Sequence, residues 1–201
     1  MTTARKLVVA TANEGKRSEI ASVLDGLGAE VLSLADFPEA REVEEPYDTF
    51  LANATEKATV TARTLGLLAL ADDSGLQVDA LGGAPGVMSA RVGSSDPERI
   101  AWLLQQLRDV PPDQWAAGFV CCLVLASPEG VIGQWQGVVR GLIIDTPRGS
   151  QGFGYDPVFY YPPAGLTFAE MTREQKGQVS HRGKALREFR RAFEVVASSG
   201  G

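Results

Sequence analysis

Cysteine is scarce in this chain: there are two, and they are adjacent, Cys121 and Cys122, within the strand-like run from Phe119 to Leu125. Successive side chains on a strand diverge, which argues against a disulfide between them and makes them core thiols. No apolar run approaches the ~20 residues of a membrane span. The opening M-T-T-A-R-K passes into a first strand without the apolar core of a secretion signal, so a cytoplasmic protein with no membrane partner is expected. Positive charge is in deficit, with a formal net charge of −6. That argues against general affinity for nucleic acid, which Lys and Arg drive by neutralising phosphates. A single nucleotide needs only a local basic patch. Linkers, repeats and low-complexity tracts are absent too, so one domain over 1–201 is expected. With 44% hydrophobic residues it can bury one substantial core.

What is present begins with alternation. The pattern predicts a strand at 7–11, a helix at 14–27, a strand at 30–34, a helix at 48–65 and a strand at 67–72. A Gly-rich region to Arg91 follows, then a helix at 97–108 with Ile100, Leu103, Leu104 and Leu107 on one face, ended by Pro111 and Pro112. The runs 116–126 and 131–144 flank S-P-E-G and read as an antiparallel hairpin. A last helix from His181 to Ala197 buries Ala185, Phe189, Phe193 and Val196, and the tail frays. Early strand–helix alternation with a later hairpin implies an α/β fold whose mixed parallel/antiparallel central sheet is flanked by helices. Length and apolar content allow the core to be arranged as two lobes around an active-site cleft.

Four segments carry candidate chemistry. Asp72 and Asp73 close the apolar run 65–71 ahead of Ser74 and Gly75. Carboxylates at the rim of a sheet ask for a cation, and strand alternation leaves one to work directly and the other to support it. A polar strand exit is the plainer alternative. In T-A-N-E-G-K, Asn13 is a natural N-cap and Gly15 admits close approach. The helix start is therefore an anion site with Lys16 as a mobile ammonium, or simply a capped helix with a surface lysine. G-F-G-Y-D-P opens the backbone around Phe153, which suits stacking of a base while Tyr155 and Asp156 order the turn, or is only a structural turn. In S-H-R-G-K, Ser180 can cap a helix whose first turn presents His181 and Arg182 outward as donors, or as a solvated helix start. Asn53 and Lys57 share a helix face near Glu44 and Glu45.

The order T-x-N-x-x-K, E-E-(four residues)-F-x-x-N-A-x-x-K-A, A-D-D-S-G-L-x-V-D-A-L-x-G-x-P-G-x-x-S-A-R, G-F-G-Y-D-P and S-H-R-G-x-A-L resembles the inosine/xanthosine triphosphate pyrophosphatase family from Leu7 to about Phe193. The resemblance implies an ITPase-like fold and a Mg²⁺-dependent enzyme that converts ITP, dITP and XTP to the monophosphate and pyrophosphate. It thereby clears deaminated purines from the nucleotide pool. It also implies a homodimer, with which the apolar Val87, Met88 and Trp102 are compatible. Asp73 takes the proton-acceptor position, supported by Asp72, with Lys57 a phosphate or catalytic lysine. Magnesium falls to Asp73 with Glu45, or Glu44 if the loop length differs, because Pro46 and Tyr47 replace the usual flexible turn. Substrate contacts fall to Thr11, Ala12, Asn13, Glu14, Gly15, Lys16, Ser74, Phe153, Gly154, Tyr155, Asp156, Lys176, His181 and Arg182, with Lys16 and Lys176 on the phosphates. The alternatives are a Mg²⁺-dependent house-cleaning hydrolase or phosphatase acting on other nucleotides, and a nucleotide-binding module without turnover.

Overall fold

In the computed structural model, which describes residues 5–37, 40 and 43–198, the expected α/β alternation is present. Strand β1 (Arg5–Ala10) leads into helix α1 (Glu14–Leu24), strand β2 (Ala29–Ser33) and helix α2 (Phe50–Leu65). Strand β3 (Leu68–Val78), helix α3 (Asp96–Leu107) and the long strands β4 (Ala116–Ser127) and β5 (Gly130–Ile143) follow. Short strands β6 (Phe159–Tyr161) and β7 (Leu166–Thr167) precede helices α4 (Arg173–Val179) and α5 (His181–Ser198). The seven strands hydrogen-bond in the order β2-β1-β3-β4-β5-β6-β7. β1 pairs parallel with β2 and β3, whereas β5–β6 and β6–β7 are antiparallel, so the sheet is mixed as expected. β4 and β5 are sheet neighbours joined by only two residues, a connection that fits antiparallel strands alone.

The chain divides into two compact units. The first comprises 1–73, 121–137 and 182–201, and the second 74–120 and 138–181. Each has its own core. In the first, Leu7 and Val9 of β1, Ile20 and Leu24 of α1, Leu70 of β3, Leu123 and Leu125 of β4 and Phe189 and Phe193 of α5 pack together. In the second, Leu76 and Val78 of β3, Leu103 and Leu107 of α3, Phe119 of β4, Ile143 of β5, Phe159 and Phe168 do so. Burying about 25 cal/mol per Å² of apolar surface, these clusters are what hold the site-bearing strands rigid.

β3 corrects the sequence reading. It was expected to stop at 72, but it runs on to Val78 because Leu76 and Val78 are fully buried in the second core and keep the chain extended through Ser74 and Gly75. Asp72 and Asp73 therefore stand inside a strand, not at its exit. α1 ends at Leu24, three residues early, where Asp25 turns to ψ 133°. Ser180 closes α4, a short helix that periodicity over seven residues was too brief to reveal. Cys121 and Cys122 are free and buried, as expected. Ala185, Phe189 and Phe193 form the buried face of α5, while the Val196 side chain and the tail 199–201 lie outside the described residues.

Candidate active site

α2 sets the site up. Thr49 caps it by accepting from the Ala52 N–H, and its buried stripe is Phe50, Asn53, Ala54, Lys57, Ala58, Thr61 and Ala62. Alanine-rich spacing lets the helix lie close to β-strand backbone, and it carries two polar side chains inward with it. Asn53 is fully buried. Its side-chain oxygen accepts from the Tyr47 N–H (2.9 Å), while its Nδ2 donates to the Tyr47 carbonyl and to Asp73 Oδ2, each at 3.1 Å. One amide thus ties the acidic loop to Asp73. Lys57, 8% exposed, donates to the Asp72 carbonyl oxygen at 2.7 Å and forms an ion pair with Glu45. Glu45 is half-buried and Glu44 exposed, so Glu45 is the residue that joins the cluster.

Strand alternation sends the two aspartates to different company. Asp72 is inaccessible to solvent and meets Lys16 Nζ (2.7 Å), Arg182 Nε (2.9 Å) and the Cys121 thiol (3.0 Å). Burial alone would raise its pKa, but Arg182 and Lys16 overcome this and hold the carboxyl well below its usual range. Arg182 pairs also with Glu19 of α1, so two cations and two carboxylates balance, with Asp72 and Arg182 buried and Lys16 and Glu19 half-buried at the edge. Burial beside Asp72 pushes the Cys121 thiol well above its ordinary value, keeping it a protonated donor. Asp73, 5% exposed, is pushed the other way. Burial raises its pKa, Glu45 adds to the rise, and Lys57, Lys16 and Asn53 offset only part of it. The surroundings of these two neighbouring carboxyls thus drive their proton affinities in opposite directions.

The turn before α1 is open to solvent. Thr11 Oγ1 accepts from the Asn13 N–H at 3.2 Å, and Asn13 Oδ1 accepts from the Lys16 N–H at 2.9 Å, the expected N-cap. Ala12, Asn13 and Glu14 are exposed, with Gly15 and Lys16 half-buried behind them. This places the positive end of α1 and the Lys16 ammonium in the unit that holds Asp72 and Asp73.

In the second unit, G-F-G-Y-D-P forms a tight turn. The Phe153 N–H donates to Asp156 Oδ2 (2.9 Å), which also pairs with the Lys176 ammonium at 2.5 Å. Lys176 lies 4.8 Å from the centre of the half-buried Phe153 ring. Gly152 sits at φ +74°, and a Cβ there would come within 2.0 Å of Asp156 Oδ2, so the turn requires glycine. The Tyr155 hydroxyl donates to the Ser89 carbonyl oxygen at 2.9 Å, and burial raises its pKa well above the ordinary value. His181 is 4% exposed and stacks on Phe119 at 4.8 Å.

A profile of the Ham1 family matches residues 7–192 of the chain. The chain belongs to the Ham1 family. It is 52% identical over 184 residues to a dITP/XTP pyrophosphatase of Geobacter sulfurreducens, covering 90% of this chain and 92% of that one. It is 53% identical over 194 residues to a dITP/XTP pyrophosphatase of Nostoc sp., covering 96% of each. Its fold matches the structure of a HAM1 protein from Coxiella burnetii with a TM-score of 0.86 at 36% identity, covering 98% of this chain and 100% of that one.

In this Ham1 chain, the first unit brings together Asp72, Asp73, Lys57, Glu45 and Lys16, as the sequence suggested. The second holds Ser74, Phe153, Gly154, Tyr155, Asp156, Lys176 and His181. One expectation changes. His181 and Arg182 do not point outward: both are buried, and the Arg182 guanidinium is committed to Asp72 and Glu19 because a dry carboxylate needs a fixed counter-charge. Lys176 lies with Phe153 and Asp156 in the second unit. Sequence reasoning missed Glu19 and Cys121. Glu19 lies one turn from Lys16 on α1, a spacing that could have flagged it, whereas nothing local marks Cys121.

Proposed function

We propose that this Ham1 protein is a nucleoside triphosphate pyrophosphohydrolase that converts dITP, ITP and XTP to the monophosphate plus pyrophosphate and so clears deaminated purines from the nucleotide pool. The observation that carries the reading is the buried set of Asp73, Glu45 and Lys57 beside the Lys16 turn, in a chain about half identical to dITP/XTP pyrophosphatases over nearly its whole length.

A triphosphate brings about four negative charges, and attack of water at the α-phosphorus requires them neutralised and the pyrophosphate held in line. Lys16, with the turn Thr11, Ala12, Asn13, Glu14 and Gly15, takes phosphate oxygens. Lys57 supplies a second cation beside Asp73. Among the described residues no group of three or more His, Cys, Asp or Glu side chains converges on one point. Two carboxylates, Asp73 and Glu45, fit Mg²⁺, since that ion prefers one or two carboxylates with waters and phosphate oxygens. Bound there, Mg²⁺ would neutralise phosphate charge during bond cleavage. Asp73 orients the attacking water and accepts its proton, a contribution of roughly 10²–10⁴ in rate. Asp72, saturated by Arg182, Lys16 and Cys121, acts from behind as a fixed support.

The base stacks on Phe153, with Ser74, Gly154, Tyr155, Asp156, Lys176 and His181 shaping its surroundings. Hypoxanthine and xanthine carry a keto oxygen at the 6-position where adenine carries an amino group. A donor set there is paired by the former and left unpaired by the latter, a difference worth roughly 10⁴ in selectivity. Arg182, in the first turn of α5, holds Asp72 of β3 in place rather than meeting the base. The working protein is a cytoplasmic homodimer without nucleic-acid or membrane partners.

Product analysis with Mg²⁺ across dITP, ITP, XTP, GTP and ATP tests the reading. Pyrophosphate and monophosphate from dITP, ITP and XTP are expected, with GTP, which shares the 6-keto group, and ATP turned over far more slowly. Orthophosphate with diphosphate would overturn it in favour of a phosphatase, and binding without products in favour of a binding module.

A further inference from the structure

The ring direction of Phe153 is set by the two peptide planes on either side of its Cα, and each of their N–H groups meets a carboxylate. The Phe153 N–H donates to Asp156 Oδ2 at 2.9 Å, three residues along the same turn. The Gly154 N–H donates to Asp96 Oδ2 at 2.7 Å, from a residue 58 positions earlier in the chain. Gly154 takes φ +64°, a left-handed conformation outside regular strand or helix geometry. We infer that Asp96, the first residue of α3, is a positioning residue for the nucleotide base: it clamps the Gly154 peptide and thereby fixes the face that Phe153 offers to a purine.

Asp96 is itself braced. Its Oδ1 accepts from Arg99 Nη1 at 2.6 Å, and Arg99 Nε reaches the Ala90 and Gly93 carbonyl oxygens at 3.2 and 3.1 Å. That anchors the carboxylate to the loop 89–93, which is also where the Tyr155 hydroxyl is received by the Ser89 carbonyl oxygen. Ser89 Oγ in turn accepts from the Leu76 N–H of β3 at 2.9 Å and donates to the Gly86 carbonyl oxygen at 2.6 Å. The segment P-G-x-x-S-A-R followed by Asp96 and Arg99 is thus a scaffold grasping the turn at Gly154 and Tyr155, while Asp156 and Lys176 grasp it from within. Every group named lies in the second unit. A half-buried carboxylate accepting one backbone N–H gives a charge-assisted bond of intermediate strength, enough to change a ring's orientation without deciding whether the unit folds.

The inference rests on the pyrophosphohydrolase reading. The test compares wild type, Asp96→Ala and Asp96→Asn in steady-state kinetics with ITP and ATP, and in amide hydrogen exchange of segment 150–157 without nucleotide. For Asp96→Ala, KM for ITP should rise about tenfold with kcat within threefold, the ITP over ATP preference should fall in step, and exchange should quicken in 150–157 while α3 stays protected. Asp96→Asn keeps a carbonyl oxygen for the Gly154 N–H and should recover most of both. Unchanged KM and exchange in Asp96→Ala would overturn the inference. So would equal impairment of both variants with faster exchange throughout α3, which is what a plain helix-start role predicts. A wild-type protein that releases no pyrophosphate from ITP would sink the functional reading instead, and the exchange comparison would still decide whether Asp96 holds the turn.

Discussion

Burial acts on Asp72 and Asp73 in the same direction, and their neighbours decide the outcome. Asp72 has a guanidinium and an ammonium in contact, and its neutralisation would take one of two carboxylate partners from Arg182, which is 2% exposed. Asp72→Asn is therefore expected to cost about 3 kcal/mol, or roughly 6–12 °C in Tm, together with activity. Asp73 holds its charge at a cost, since burial and Glu45 outweigh the help from Lys57 and Lys16. Asp73→Asn should leave Tm at neutral pH unchanged or higher while reducing turnover of ITP to less than a tenth of wild type. Thermal melts and Mg²⁺-dependent ITP hydrolysis on both purified variants check the pair. Retained turnover in Asp73→Asn would remove that residue from the centre of the reaction.

Among elements, the α2 stripe and the Gly152–Pro157 turn show how polar chemistry is carried on local geometry. On α2 the apolar positions of the buried face are mostly alanine, and so the helix lies close enough for Lys57 and Asn53 to reach β3 backbone and side chain. The turn depends on a left-handed residue at 152. Gly152→Ala would force a Cβ against Asp156 Oδ2 and is expected to cost about 1–3 kcal/mol. The loss should appear chiefly as a raised KM for ITP, because the Asp156 carboxylate would release both the Phe153 N–H and Lys176. A melt combined with ITP and ATP kinetics measures this, and an unchanged KM would mean that the turn does not meet the base.

Across the whole molecule, the two aspartates give stability a pH dependence of opposite sign. The Asp72 pKa is depressed, so its contribution is present above the unfolded value of about 3.9 and is lost as pH falls towards its lower folded value. The Asp73 pKa is raised, so its contribution is complete below about 3.9 and is lost as pH rises through the folded value. In Tm profiles from pH 3 to 8, wild type should fall steeply below pH 4, Asp72→Asn should be flatter there, and any advantage of Asp73→Asn should emerge only above pH 4. Superimposable acid limbs for wild type and Asp72→Asn would show that the buried ion pairs carry little of the acid sensitivity. At the same scale, sedimentation or light scattering tests the proposed homodimer, for which Met88, 45% exposed, is a probe position.

Composition and short-range pattern determined much of this protein. Period-3.6 and period-2 apolar spacing located the long helices and strands, the Asn13 cap and the S-P-E-G hairpin, because these depend on neighbours within a few residues. The ordered motifs marked Asp73, Lys57 and Phe153 as candidates. Tertiary structure alone decided the rest. It extended β3 past the aspartates, since the pull of Leu76 and Val78 comes from a core built by distant segments. It paired Lys57 with Glu45 across the gap between α2 and the acidic loop. It also turned Arg182 inward, because its partners Asp72 and Glu19 are 110 and 163 residues away in the chain, and no local pattern encodes a charge balance made across that separation.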